Sequence, residues 1–203
     1  LIAHFIPLKE EKTPLRKVIF SCHETNLYPL QEKCMVAADE LHFVSEKQRE
    51  WHEMDMPSTV IPNVVRVGKR RGNHKRGYVG VIGSVDSHKQ TALAIEEALA
   101  NEPKSTKVLI FGAVTNEEYY MEHVKPLLRN KRVRFAGKYD NKDVMYSMID
   151  AAYHASKYET YGLIKHECAL HGIPFNDLNK SSEHSEYWED ERILEEWKTL
   201  LEL

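Results

Sequence analysis

Residues 78–111 read YVGVIGSVDSHKQTALAIEEALANEPKSTKVLIF. Two short apolar runs, 78–82 and 107–111, enclose a small-residue loop and a stretch with helical spacing at 91–100. Buried strands that alternate with helices of this length indicate βαβ crossovers and a parallel sheet. The alternation continues downstream, with strands predicted at 133–136 and 152–155 and helices at 116–128, 143–151 and 162–171. The sequence therefore predicts an α/β fold, a Rossmann-like parallel sheet with helices on both faces.

The residues upstream of this sheet predict a partial or reduced N-terminal α/β segment that covers 1–65. Ser45 stands where the N-cap of a helix is expected, directly before a polar helical run. Strands are predicted at 17–22, 40–45 and 58–63, and helices at 30–38 and 46–53.

Changes in composition predict the domain boundaries. A linker rich in Gly, Lys and Arg at 66–76 separates the N-terminal segment from a second domain at 77–175. The remaining residues, 176–203, are an acidic tail with a helical spacing of apolar residues. Three aromatic residues are expected to anchor this tail onto the body: Tyr187, Trp188 and Trp197.

Composition excludes several classes of function. The chain has 203 residues, of which 42% are hydrophobic and 29% charged, as in a globular protein with one core or slightly more. The net charge is -3 and no long basic tract is present, which argues against a nucleic-acid partner.

The cysteines and the first residues bear on location. Cys22, Cys34 and Cys168 show no metal-ligand spacing. Their low, odd number is typical of a reducing compartment, so a cytoplasmic location is expected. The apolar run at 1–8 is too short for a membrane span and is broken by a histidine and a proline. Peripheral contact with a membrane surface stays open.

A small-residue loop at 83–89 follows the first strand of the predicted sheet. Gly83 and Ser84 leave backbone N–H groups accessible, and Lys89 near the next helix offers a counter-charge to phosphate. Taken alone, this loop is more simply explained as an ordinary polar connection with a surface lysine.

The segment 157–167 leads into the last predicted helix of the sheet domain. Gly162 at the helix entrance lets a ligand approach the backbone, and the positive helix end suits a diphosphate. Glu167 on the helix can accept hydrogen bonds from ribose hydroxyls, whereas Glu159 would lie nearer the reacting sugar. The alternatives are a helix-dipole partner for Glu159 and a solvated helix face for Glu167.

A third candidate is Gly137, where the strand at 133–136 runs into a loop. The backbone at this point can edge a nucleobase. A glycine-assisted turn followed by a capping aspartate, Asp140, explains the residues at least as well.

The stretch from Tyr78 to Pro174 resembles the C-terminal domain of the retaining GT-B glycosyltransferases. Four features match the family in order: a Gly-x5-Lys loop, two strands that each end in glycine, a Glu-x7-Glu pair, and a closing Ala-Leu-His-Gly-Ile-Pro run. They fall at Gly83–Lys89, at 108–112 and 133–137, at Glu159 and Glu167, and at 169–174. Upstream, 38–46 and 60–63 are similar to the segments that close the family's N-terminal domain.

The resemblance implies a retaining transfer of a sugar from a nucleoside-diphosphate sugar to an unknown acceptor, which could be a glycan, a lipid or a protein. It implies no cofactor, and this fold normally needs no metal. By the same resemblance, Lys89 binds the diphosphate, Glu167 holds the ribose, and Glu159 and His23 face the donor sugar as the catalytic residues. The donor-binding set is Gly83, Ser84, Lys89, Gly137, Tyr161, Gly162, Leu163, Ile164 and Glu167.

The sequence departs from the family pattern at several points. Ser84 replaces an arginine, Gln90 replaces a glycine that commonly follows the lysine, and the apolar strand expected after Pro174 is missing. The N-terminal segment is also too short for a full domain, so the sequence is either a fragment or a reduced member.

Two other hypotheses therefore stay open: a non-catalytic GT-B-like binding or scaffold module, and a sugar-nucleotide epimerase. For the epimerase, only His23 and Glu24 are available as acid and base. Surface or packing roles are expected for His42, His88, His154, His166, His171 and His184.

Overall fold

The chain divides into two compact units. Unit 1 comprises Leu1–Val64 and His184–Leu203, and unit 2 comprises Val65–Glu183. The computed structural model describes residues 2–3, 18–23, 37–66 and 77–201. The predicted helix at 30–38 and the predicted linker at 66–76 therefore lie almost entirely outside the described residues.

Unit 1 contains a parallel sheet of four strands in the order β1-β2-β3-β4. Helix α1 begins at the predicted N-cap, because the Ser45 hydroxyl accepts a hydrogen bond from the Gln48 backbone N–H at 3.1 Å. The predicted strands and this helix are confirmed, with shorter ends. The elements are β1 (Ile2–Ala3), β2 (Ile19–Cys22), β3 (Glu40–Phe43), α1 (Glu46–His52) and β4 (Ser58–Val60).

The last helix of the chain completes the core of unit 1. Ile193 and Leu200 of this helix are buried against Ile19 and Ile61. Trp188 and Trp197 pack against the same cluster, so their predicted anchoring role is confirmed. Tyr187 stays 38% exposed and contributes little to this core. The helix is α6 (Asp190–Leu201).

Unit 2 contains a parallel sheet of five strands in the order β7-β6-β5-β8-β9. The chain moves outward from β5 to one edge and then returns to β8 on the other side of β5, which is the doubly wound arrangement. The elements are β5 (Tyr78–Ile82), α2 (Thr91–Asn101), β6 (Lys107–Phe111), α3 (Glu117–Tyr119), a π-helix (Tyr120–Val124), a 3-10 helix (Lys125–Arg129), β7 (Val133–Gly137), α4 (Lys142–Ser147), β8 (Ala151–His154), α5 (Leu163–His171) and β9 (Phe175–Asp177).

Helices cover both faces of this sheet, as predicted. Strand residues alternate between the faces, so Val79 and Val81 pack with Ala94 and Ile95 of α2 on one side. On the other side, Leu109 and Phe111 of β6 pack with Met145 and Tyr146 of α4, with Ile149 after α4, and with Cys168 of α5.

Three predictions need correction. The predicted helix at 116–128 changes from α to π to 3-10 geometry, and Pro126, which has no backbone N–H, stands at the start of the 3-10 part. A strand after Pro174 does exist: β9 is short and polar but pairs with β8. The acidic tail, 176–203, is not one segment, because its first part completes unit 2 and its second part belongs to unit 1.

Candidate functional site

Polar segments meet where the strand order of unit 2 reverses, beyond the carboxyl ends of β5 and β8. Ligands of doubly wound sheets bind at this point. A crevice here is lined by Gly83 and Ser84 after β5, by His154 and Ala155 at the end of β8, and by Lys89 from the loop that leads to α2. The predicted loop at 83–89 therefore lies at the carboxyl edge of the sheet.

Asp86 organises this loop. Its Oδ2 accepts hydrogen bonds from the hydroxyls of Ser84 at 2.6 Å and Thr115 at 2.8 Å. Its Oδ1 accepts the backbone N–H groups of His88 at 3.0 Å and Lys89 at 2.7 Å. Burial raises the pKa of the Asp86 carboxyl, but these four hydrogen bonds outweigh burial and lower it below its ordinary value. Sequence reasoning missed Asp86, although an aspartate that accepts the backbone N–H groups two and three residues ahead is a common turn former.

The two departures from the family pattern in this loop have local explanations. Ser84 is a hydrogen-bond partner of Asp86 and brings no positive charge. Gln90 adopts φ 47°, a left-handed conformation that glycine takes at no steric cost. Its side chain compensates in part, because its Oε1 accepts a hydrogen bond from Asn179 at 2.8 Å.

Gly112, after β6, lies against the backbone of this loop, whereas the sequence analysis marked it only as the glycine that ends a strand. It has φ 151°, and a Cβ atom at this position would lie 1.8 Å from the backbone oxygen of Gly83. Only a glycine lets the two backbones approach so closely. The position of the Gly83 backbone thus depends partly on Gly112, which follows the next strand of the chain.

Glu159 is held by two side chains that contact the same oxygen. Lys89 Nζ lies 2.5 Å from Glu159 Oε1, and His154 Nε2 lies 2.9 Å from it. The Glu159 side chain is 14% exposed. Burial raises the pKa of its carboxyl, but the hydrogen bond from His154 and the charge of Lys89 outweigh burial and lower it to about 2. Glu159 is therefore an anion at neutral pH.

His154 is the main functional residue that sequence reasoning missed. It is 4% exposed at the end of β8, and an ionised carboxylate only accepts hydrogen bonds, so His154 donates Nε2–H to Glu159. The expected surface or packing role is incomplete for this residue. The signal was its position at a strand end, five residues before Glu159.

His88 joins the two loops of the site. Its backbone oxygen accepts the Lys157 N–H at 3.0 Å, and its Nε2 lies 3.2 Å from the Ser156 hydroxyl. Its ring also packs on Tyr158, with 4.2 Å between the ring centroids. These contacts fix Lys89 and Glu159 relative to each other.

Helix α5 begins at Leu163, one residue after the predicted start, and Gly162 is its N-cap. Gly162 has φ 70°, and a Cβ atom there would lie 2.6 Å from the Cβ of Ser182. Leu163 is 36% exposed at the helix start, whereas Ile164 packs into the core. Tyr161 is 2% exposed and its ring stacks on His166, so only its backbone is suited to a ligand.

Glu167 lies on α5 and is 4% exposed. Tyr146 donates its hydroxyl to Glu167 Oε2 at 2.6 Å, and Lys142 forms an ion pair with Oε1. The alternative of a solvated helix face is therefore wrong. Each glutamate of the pair contacts one buried ring side chain and one lysine. The partners are His154 and Lys89 for Glu159, and Tyr146 and Lys142 for Glu167.

The remaining predicted residues lie elsewhere. Gly137 ends β7 with φ 77°, and its backbone oxygen accepts the Gly112 N–H at 3.0 Å. A Cβ atom at Gly137 would meet open space, so its backbone is accessible. His23 belongs to unit 1, after β2, where its Nε2 lies 3.1 Å from the Ser21 hydroxyl.

The described residues contain neither a metal-binding cluster nor a membrane-spanning helix. No three His, Cys, Asp or Glu side chains among them are grouped so that they would hold a metal ion. None of the helices in that part of the chain combines the length and the apolar character that a bilayer crossing requires.

Comparison with known proteins bears on the fold. No protein-family model and no curated protein matches the sequence. Among solved structures, HepE from Anabaena in complex with UDP and glucose aligns over 79% of this chain and 52% of its own, with a TM-score of 0.66 and 18% identity. TarM aligns over 91% and 43%, with a TM-score of 0.64 and 16% identity.

A third structure, the pneumococcal O-GlcNAc transferase GtfA in complex with UDP and GlcNAc, aligns over 89% of this chain and 44% of its own, with a TM-score of 0.61 and 14% identity. These proteins share a GT-B architecture. The chain has the GT-B glycosyltransferase fold. It spans about half the length of these GT-B chains. The predicted α/β class, with Rossmann-like parallel sheets and helices, is confirmed.

Acid is expected to destabilise unit 2 in two steps. His166 is buried, which lowers its pKa from 6.5 to about 4, so the unfolded chain binds a proton first and stability falls between those values. Glu159 has its pKa lowered from 4.5 to about 2. Its contribution is complete above pH 4.5 and is lost as the pH falls toward 2.

Denaturant unfolding followed by far-UV circular dichroism across both windows measures these steps. His166→Phe keeps the ring contact with Tyr161 and should make the first step smaller, and Glu159→Gln should make the second step smaller. All three tryptophans lie in unit 1, so their fluorescence reports that unit separately. Identical pH profiles in the wild type and both variants would contradict the prediction.

Proposed function

We propose that the chain is the donor-binding part of a glycosyltransferase, which transfers a sugar from a nucleoside-diphosphate sugar to an acceptor, with retention and without a metal. The observation that carries this proposal is the cluster of Lys89, Glu159 and His154 at the point where the strand order reverses. Similar structures suggest the donor class, since HepE and GtfA form complexes with UDP and a sugar.

Lys89 is the cation for the donor diphosphate in this proposal. The start of α5, at Gly162, Leu163 and Ile164, adds backbone N–H groups and the positive end of the helix. Negative charge grows on the diphosphate as the glycosidic bond breaks, so fixed positive groups stabilise the transition state more than the ground state. The backbone at Gly83 and Ser84 completes this side of the site.

The two glutamates have different tasks. Glu167 keeps its hydrogen bond from Tyr146 and turns its other oxygen from Lys142 to the ribose hydroxyls. Glu159 contacts the donor sugar as an anion, since its pKa of about 2 makes it a poor proton donor. When the Lys89 ammonium group leaves Glu159 and contacts the diphosphate, the hydrogen bond from His154 keeps Glu159 in place. The proposal further assigns the base edge to the backbone of Gly137.

A thermal-shift and calorimetric screen with UDP, GDP, ADP, CDP and their common sugar conjugates tests the proposal. A ligand that binds only the native state must stabilise it. Selective stabilisation by one nucleotide supports the donor site and identifies the base, and an unchanged response in EDTA supports the metal-free site. Failure of a folded protein to respond to any of them would contradict the proposal.

Glu167→Gln is expected to weaken binding of the nucleoside diphosphate by about 5- to 10-fold, because a hydrogen bond to a charged group is replaced by a neutral one. The amide still accepts the Tyr146 hydroxyl, so the fold should be kept. Calorimetry with the nucleoside diphosphate and with the free base separates the effects: base binding should not change. An equal loss for both ligands would contradict a ribose contact.

One observation favours the second candidate, a non-catalytic binding module. Ser84 stands in place of an arginine and is bonded to Asp86, so the loop brings one cation instead of two. Such a module would bind the nucleotide sugar without donor hydrolysis or transfer, and turnover with a saturating donor distinguishes the two functions.

The epimerase hypothesis has no support from the described residues, since Glu24 lies outside them.

A further inference from the structure

Basic residues are concentrated at one edge of the sheet of unit 2. Residues 125–138 read KPLLRNKRVRFAGK, with six Lys or Arg and no Asp or Glu, in a chain whose net charge is -3. Apolar residues interrupt the cations along the sequence, but the stretch folds into the 3-10 helix and strand β7. Strand β7 stands at the end of the strand order. The fold therefore gathers an excess of positive charge along this edge of the sheet.

One of the six cations is used by the fold. The Arg132 guanidinium donates four hydrogen bonds, between 2.8 and 3.2 Å long, to backbone oxygens at and after the end of α2. The acceptors are the carbonyl groups of Leu99, Glu102, Pro103 and Thr106. Arg132 thus ties the start of β7 to unit 2 and is not available to a partner.

The other cations are exposed. They are Lys125, Arg129, Lys131, Arg134 and Lys138. Lys138 is partly compensated, because its Nζ lies 3.9 Å from the Asp140 carboxylate. In the part of the chain that the structure describes, no carboxylate forms an ion pair with Arg129, Lys131 or Arg134. The positive charge of these three side chains is therefore directed at the solvent.

An exposed aromatic ring lies beside these cations. Phe135 follows Arg134 on β7 and is 39% exposed. On one side its ring packs near Tyr120 of the π-helix, with 6.0 Å between the ring centroids. Cations together with an exposed apolar ring are the composition that binds at the interface of an anionic bilayer.

Protection of the sheet edge explains only part of this composition. Natural edge strands carry cations or bulges that prevent pairing with a second strand. Strand β7 has both, since Arg134 is exposed and the register against β6 shifts between Ile110 and Phe111. Such protection needs no cation on the 3-10 helix, and an exposed Phe135 works against it. The edge therefore suits a partner that is attracted by charge better than one that adds a strand.

Acidic residues mark where this surface ends. Glu117 and Glu118 of α3 and Glu122 of the π-helix are exposed, and Met121 is exposed among them. These residues precede the basic stretch, so the surface comprises the 3-10 helix and β7, and Met121 lies outside it.

We propose that the β7 edge, defined by Arg129, Lys131, Arg134 and Phe135, binds the headgroup region of an anionic lipid bilayer. The cations contact the lipid phosphates, and Phe135 enters the interface. Backbone groups on the open side of an edge strand need water or headgroups as partners, so β7 stays at the headgroup level. The rest of the chain carries the net negative charge, which the same headgroups repel, and this favours docking through the β7 edge.

A nucleic acid would meet the same cations but suits the edge less well. Three uncompensated cations neutralise few phosphates, and the affinity of proteins for nucleic acids depends on the number of phosphates that they neutralise. The bilayer contact does not rest on the proposed function. The donor crevice lies beyond β5 and β8, and two strand spacings, about 10 Å, separate β5 from β7.

Sedimentation of the full chain with lipid vesicles tests the proposal. The chain should bind vesicles that contain about one third phosphatidylglycerol but not pure phosphatidylcholine, and binding should weaken as salt is added. The triple variant Arg129→Gln, Lys131→Gln, Arg134→Gln should bind the anionic vesicles about 100-fold more weakly. Phe135→Thr, which suits a strand, should lose about 10-fold and keep the salt dependence.

The triple variant Lys47→Gln, Lys157→Gln, Lys198→Gln is the matched control, because it removes the same charge from exposed positions outside the β7 edge. It should bind nearly as the wild type does, and circular dichroism verifies that both triple variants are folded. Equal losses in the two triple variants, or equal binding of the wild type to neutral and anionic vesicles, would overturn the proposal. So would a failure to bind anionic vesicles at low salt, and an RNA that binds through the same three cations would then assign the edge to a nucleic acid.

Discussion

Replacing Lys89 with methionine is expected to lower the affinity for nucleoside diphosphates by about 10- to 100-fold, the value of one or two hydrogen bonds to a charged group. Ser84 supplies no positive charge, so Lys89 is the cation of the 83–89 loop that the proposal assigns to the diphosphate. Methionine keeps the apolar stem that lies beside Gly83 and removes only the ammonium group. Calorimetry with the nucleoside diphosphate and with the nucleoside separates the charge effect from base binding.

Lys157→Met is the matched control, because Lys157 is exposed in the neighbouring loop and its side chain has no part in the site. It should bind with wild-type affinity. Raising the salt concentration should weaken the wild type more than Lys89→Met, since the lost contact is between charges. Equal affinities of Lys89→Met and Lys157→Met would show that the diphosphate lies elsewhere or does not bind.

Much of the fold was readable from the sequence because the sheet of unit 2 is buried on both faces. Runs such as 78–82 and 107–111 have no polar interruption, and the helices between them have a regular spacing. The missed strand β9 reads Phe-Asn-Asp, which lacks the apolar residues that mark a buried strand. Pairing with β8, rather than composition, makes it a strand.

The candidate site was predicted less completely, for a different physical reason. Lys89 and Glu159 are separated by 70 residues, and only the resemblance to a family brought them together. His154 looked like a packing residue, because a histidine on a buried strand usually is one, and its partner could not be read from spacing. Gly112 depends on the backbone of Gly83, a close approach that exists only after β5 and β6 have paired.

The replacement Glu159→Gln is expected to reduce donor turnover by about 100- to 1,000-fold, the range seen when one electrostatic contact to a transition state is removed. Glutamine has nearly the same shape, and its oxygen still accepts Nε2–H from His154. The variant therefore loses the negative charge beside the donor sugar and keeps the geometry. The affinity for nucleoside diphosphates should stay the same or rise slightly, because Lys89 no longer has to give up its ion pair with Glu159 when the diphosphate binds.

The variant His154→Gln distinguishes the effect of the Glu159 charge on turnover from the effect of the Glu159 position. A glutamine amide can still donate one hydrogen bond, but it is shorter and more mobile than the imidazole, so Glu159 should follow Lys89 when the diphosphate binds. We expect a loss of turnover smaller than that of Glu159→Gln, with little change in nucleotide affinity. Two results together would show that Glu159 serves the fold instead. Glu159→Gln would lower affinity and turnover by the same factor. At neutral pH, it would also lower the denaturant concentration at which unit 2 unfolds by more than the loss of one ion pair explains. In that case the anion held between Lys89 and His154 is a structural pair, and the chain fits the binding module better than the enzyme.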